Sequence, residues 1–106
     1  MTPDFRVETE GDGGQCRISV SGELDMNSSP QLLQAIRKAI PQSSALEIRL
    51  QGVDYVDSSG IAVLVQGYKL AHKQGVEFAI YDPSPQVLAV IELSQLQQFF
   101  TIRGPE

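Results

Sequence analysis

Along this chain the spacing of apolar residues switches repeatedly between two periods, and that alternation narrows the available folds more than any other feature. Phe5-Arg6-Val7-Glu8-Thr9-Glu10 and Cys16-Arg17-Ile18-Ser19-Val20-Ser21 carry apolar side chains at every second position, as half-buried strands do. Gly11-Asp12-Gly13-Gly14 between them accepts positive φ, which predicts an antiparallel hairpin with a loop of about four residues. Gly22 is expected to end the second strand. The period then lengthens: Leu32, Leu33, Ile36, Ala39 and Ile40 recur at three- and four-residue spacing, while Gln31, Gln34, Arg37 and Lys38 fall on the opposite side. Ser29 as N-cap and Pro30 at the first helical position start this helix, and Pro41 stops it.

Residues 45–50 alternate again as a third strand, followed by an irregular stretch over 51–56. A second helix opens at Asp57-Ser58-Ser59-Gly60, with Ile61, Leu64, Val65, Tyr68 and Ala71 or His72 as its apolar face and Gly75 just past its end. Residues 77–81 form a fourth strand. Ser84 and Pro85 start a short helix that carries Val87, Leu88, Val90 and Ile91, and residues 99–102 supply a last strand. A hairpin followed by αβαβαβ alternation predicts an α/β fold: one domain over 1–106, with helices packed on a mixed sheet, because parallel neighbours need crossover connections.

Thirteen acidic side chains against eight Lys and Arg give a formal net charge of −5, with no basic stripe to engage a phosphate backbone, so nucleic acid is not an expected partner. No uninterrupted apolar run exceeds five residues, where a membrane-spanning helix needs about 20, so no insertion into a membrane is expected. The single Cys16 allows no internal disulfide, and the first residues lack a basic start followed by an apolar run. A cytoplasmic protein is expected from both.

The segment with most chemical content is Asp57-Ser58-Ser59-Gly60, where two hydroxyls and a carboxylate meet the free N–H groups of a helix start. Capping alone accounts for an Asp or a Ser there. Two consecutive serines exceed what a cap needs, and Gly60 in the first turn costs about 1 kcal/mol relative to Ala, as though something approached the backbone closely. A serine hydrolase is not expected. The residue two before Ser58 is Val56, where a nucleophile elbow has Gly. His72 follows Ser58 by 14 residues on the same helix, about 21 Å of rise and out of hydrogen-bond reach. One His and one Cys give no metal-ligand pair, and no Gly-rich Lys-Ser or Lys-Thr loop is present, so neither catalysis nor a cofactor is expected.

Gly22-Glu23-Leu24-Asp25 after the second strand, Val56-Asp57-Ser58-Ser59-Gly60-Ile61 opening the second helix, and Gly67-Tyr68-Lys69 further along it occur in an order that resembles the STAS domains, within them the bacterial anti-sigma factor antagonists. The resemblance spans nearly the whole chain. It implies a STAS-like fold and a partner-switching regulator of sigma-factor-dependent transcription, not an enzyme. By the same resemblance Ser58 is the phosphorylation site, an anti-sigma factor serine kinase is the partner that modifies it, and a serine phosphatase reverses the modification. The implied partner-binding residues are Asp25, Met26 and Asn27 in the loop after the second strand, Asp57, Ser58, Ser59 and Gly60 at the helix start, and Ala62 and Gln66 on the exposed side of the helix. Small STAS proteins also serve as cytosolic subunits of phospholipid-trafficking ABC transporters, bound to the ATPase, and this short chain resembles those too.

Overall fold

Asp12 and Gln15 face each other across a turn of only Gly13 and Gly14, whose φ values are +60° and +87°. The computed structural model describes residues 5–104. The turn is thus two residues long, not four: consecutive positive φ is what the tightest hairpins require, and the extra residues of the glycine-rich stretch extend the flanking strands. These are β1 (Arg6–Asp12) and β2 (Gln15–Leu24).

Gly22 does not end β2. With φ +98° it lies inside the strand, and pairing with the next strand shifts register between Ser19 and Ser21 and again between Gly22 and Glu23. The shifts let β2 continue to Leu24, alongside a third strand, β3 (Ala45–Val56), that also outruns its expected length. What reads as irregular sequence over 51–56 is strand whose period-two pattern is broken by these bulges.

Between them α1 (Ser29–Ala39) presents Leu32, Ile36 and Ala39 inward and passes into a 3-10 turn at Ile40–Gln42 around Pro41. It begins one residue earlier than expected, with Ser28 at the cap position. After β3 come α2 (Ser58–Lys73), β4 (Glu77–Tyr81), α3 (Pro85–Leu93) and β5 (Thr101–Arg103). Gly75, at φ +73°, follows α2, and Ser84 caps α3, both as the sequence predicts.

The sheet order is β1-β2-β3-β4-β5, with β1 antiparallel to β2 and all later pairs parallel. Each crossover steps the same way along the sheet, so right-handed connections place the helices on one face. Register and burial agree: Ile18 lies beside Ile48 and Ile48 beside Ile80, all three fully buried beneath the helices. Leu32, Ile36, Leu64, Val87 and Ile91 complete that core. The opposite face carries Arg17, Glu47 and Arg49, with Glu47 Oε2 accepting from Arg17 at 3.0 Å and from Arg49 at 2.7 Å. Cys16 is buried on the core face.

Candidate functional site

At the C-terminal ends of β2 and β3, Leu24 pairs with Val56, and the Asp57 N–H donates to the Leu24 carbonyl at 3.4 Å. The next residues of the two strands, Asp25 and Asp57, therefore leave the sheet side by side. Asp57 is extended (φ −118°, ψ −170°), and its Oδ1 accepts from the N–H groups of Ser59 at 2.9 Å and Gly60 at 3.3 Å. One carboxylate thus does the capping. Ser58, the first residue of α2, is exposed, and its hydroxyl makes no hydrogen bond among the described residues. Ser59 is half-buried.

Gly60 is buried, which revises the expectation that a partner approaches its backbone. A Cβ there would lie 2.7 Å from Val56 Cγ2, 2.8 Å from Leu24 Cγ and 2.9 Å from the Leu24 carbonyl oxygen. The close approach is internal: the missing side chain lets the first turn of α2 rest on the strand ends. Gly60 sets the height at which Ser58 stands and is itself buried.

In the β2–α1 loop, Asp25 Oδ1 accepts from the N–H groups of Asn27 at 2.9 Å and Ser28 at 3.1 Å. The Ser28 hydroxyl donates to the Glu23 carbonyl at 2.6 Å and accepts from the Asp25 N–H at 2.9 Å. Asp25 thus folds its own loop and leaves Met26 72% exposed at the tip, with Asn27 exposed beside it. Ala62 and Gln66, one and two turns beyond Ser58, are both exposed and continue its stripe along α2.

Tyr55, 46% exposed and paired with Glu23, belongs to this same end of the sheet. The sequence reading missed it, because the bulged end of β3 conceals the strand that presents it. Segments 22–30 and 52–66 together hold Glu23, Asp25, Asp54 and Asp57 and no Lys or Arg, so this end is acidic. His72 is exposed in the last turn of α2, at the opposite end of the helix from Ser58. Among the described residues no three His, Cys, Asp or Glu side chains are grouped so as to hold a metal ion, and no helix is long and apolar enough to cross a membrane.

Comparison with known proteins places this arrangement in context. The family model described as "Mlab, STAS domain" matches residues 7–103. The anti-sigma F factor antagonist of Paenibacillus polymyxa is 30% identical over 105 residues, 97% of this chain and 90% of that protein. The anti-sigma-B factor antagonist of Bacillus subtilis is 25% identical over 99 residues, 93% of this chain and 91% of that protein. Among solved structures, an anti-sigma factor antagonist from Mycobacterium paratuberculosis superimposes with a TM-score of 0.88 at 28% identity, covering 99% of this chain and 92% of that one.

Proposed function

The chain belongs to the STAS domain family, and from that premise we propose that it is an anti-sigma factor antagonist working by partner switching, with Ser58 as its phosphorylation site. The observation that carries the reading is the state of Ser58: an exposed hydroxyl, free of internal hydrogen bonds, on a helix start whose capping is done by Asp57. The unmodified protein binds an anti-sigma factor serine kinase through Met26, Asn27, Ser58, Ala62 and Gln66, framed by Asp25, Asp57 and Ser59. The kinase transfers the γ-phosphoryl group of ATP to Ser58 Oγ, releasing ADP and a proton. A serine phosphatase restores the hydroxyl by hydrolysis. The protein itself supplies an acceptor and a surface and performs no catalysis.

The electrostatics support release. Phosphorylation adds about −1.5 to −2 charges at neutral pH, among carboxylates that no cation on the same segments offsets. Intramolecularly, the helix N-terminus tolerates the anion. In an interface that covered Ser58, an unpaired dianion would cost several kcal/mol, enough to weaken binding by about a thousandfold. A cytoplasmic, single-domain protein fits this cycle.

The test is incubation with the cognate anti-sigma factor and ATP, followed by mass spectrometry of the Ser58 peptide. Gain of one phosphate on Ser58 and loss of the complex support the switch. An unmodified peptide with a complex that persists removes it, and leaves the subunit role beside a transporter ATPase as the reading to pursue.

A further inference from the structure

β1 is an edge strand of seven residues with an unbroken register to β2, whereas the opposite edge, β5, has three. Long, regular edges are ordinarily blunted by charged side chains, proline, a bulge or a covering element. β1 contains neither a proline nor a register shift, and of these devices it carries only its charges, Arg6, Glu8, Glu10 and Asp12. Nor does α1 close over its inner side: a half-open cleft of about 660 Å³ runs between them, bordered by Val7, Thr9, Gln31, Gln34, Ala35 and Lys38. We propose that β1 is a self-association edge, at which two copies of this chain pair antiparallel and join their sheets.

The hydrogen-bonding phase permits it. In a two-residue hairpin the residues flanking the turn, Asp12 and Gln15, exchange hydrogen bonds, so Arg6, Glu8 and Glu10 turn their backbone groups toward β2. Phe5, Val7 and Thr9 turn theirs outward. A two-fold axis at Val7 sets Val7 against Val7 of the second copy and Phe5 against its Thr9, with outward N–H and C=O groups meeting. Side chains choose that register over its neighbours. With the axis at Val7, Arg6 of each copy faces Glu8 of the other, giving two opposite-charge pairs. Moving the axis to Glu8 sets Arg6 against Glu10 twice but also Glu8 against itself, and moving it to Thr9 sets Glu8 against Glu10 twice. Arg6 and Glu8 face only Ser21 and Ser19 within their own chain, so neither is already neutralised across the strand pair.

Such a pair has its two-fold axis perpendicular to the sheet. The α1 helices of both copies then border one shared trough, and the Ser58 ends point in opposite directions, each open to a partner. Because only about five residues per chain pair, the association belongs with small, reversible interfaces and is concentration-dependent.

Sedimentation velocity from micromolar to millimolar protein tests it. The wild type should shift from monomer to dimer over that range, and a monomer throughout overturns the proposal. Val7→Pro removes an outward N–H and leaves the β1–β2 ladder intact, so with an unchanged circular dichroism spectrum it should abolish dimerisation; a dimer that persists moves the interface elsewhere. Arg6→Glu and Glu8→Arg should each be monomeric alone and form a heterodimer when mixed, because only the mixture restores both opposite-charge pairs. Absence of a heterodimer rules out this register.

Discussion

Asp57 accepts from two backbone N–H groups with one oxygen, and that economy leaves the adjoining Ser58 hydroxyl uncommitted. Two substitutions at Ser58 should therefore separate charge from fold. Ser58→Asp is expected to leave the melting temperature within a few degrees of the wild type, since acidic residues suit a first helical turn, and to weaken anti-sigma factor binding by about a hundredfold or more. Ser58→Ala should bind as the wild type does and stay bound when ATP is added. Titration calorimetry with and without ATP reads both, and equal affinities for Ser58→Asp and the wild type would sink the switch mechanism. Gly60 answers to the opposite demand. In a generic helix Gly→Ala gains about 1 kcal/mol. Here the new methyl meets the Leu24 carbonyl and two core side chains at under 3 Å, and overpacking of that kind costs about 1–3 kcal/mol. Gly60→Ala is expected to unfold at lower urea concentration; a variant as stable as the wild type would mean that α2 lifts freely off the strand ends.

At the scale of the elements, serine hydroxyls join helices to strands. Buried Ser84 Oγ donates to the Val53 carbonyl at 2.6 Å and accepts from the Val87 N–H at 3.3 Å, so it caps α3 and ties it to the end of β3. Ser28 ties the start of α1 to the end of β2 without capping a helix N–H, its hydroxyl bridging Glu23 and Asp25. Ser29, by contrast, makes no side-chain hydrogen bond among the described residues. Ser84→Ala and Ser28→Ala should each lower stability by about 1–2 kcal/mol, and Ser29→Ala by less than about 0.5, read as shifts in denaturation midpoint. The reverse order would restore Ser29 as the working cap. This contrast shows where the sequence was legible. The starts of α2 and α3 and the whole of β4 follow directly from their caps and periods. Near α1, two adjacent serines look alike as caps, and only the tertiary partner at Glu23 separates them. The far halves of β2 and β3 were hidden for a different reason: two register shifts break the alternation, and a broken period resembles a loop. Hence Ser58 and its helix were visible from the motif, whereas the internal role of Gly60 and the exposure of Tyr55 depend on where Leu24 and Val56 arrive.

For the molecule as a whole, the helices and the buried strand residues share one face of the sheet, and the candidate site lies at one end of it, beyond Leu24 and Val56. A phosphate at Ser58 adds charge outside the core. The surroundings of Ser58 are closely held: Gly60 rests on the strand ends, Asp57 accepts from two N–H groups, and Leu24, Leu64 and Ile48 are fully buried. A packed core of this kind deforms little under a surface charge, and a switch that repels its partner directly needs no second conformation. Amide spectra of the unmodified and phosphorylated proteins should accordingly differ at residues 57–62, at the β2–α1 loop around Asp25–Ser28 and at Tyr55, with β1, β4, α3 and β5 unchanged. Shifts extending into β4 or α3 would show that phosphorylation acts through a rearranged fold, and partner release would then have to be explained by shape instead of by charge.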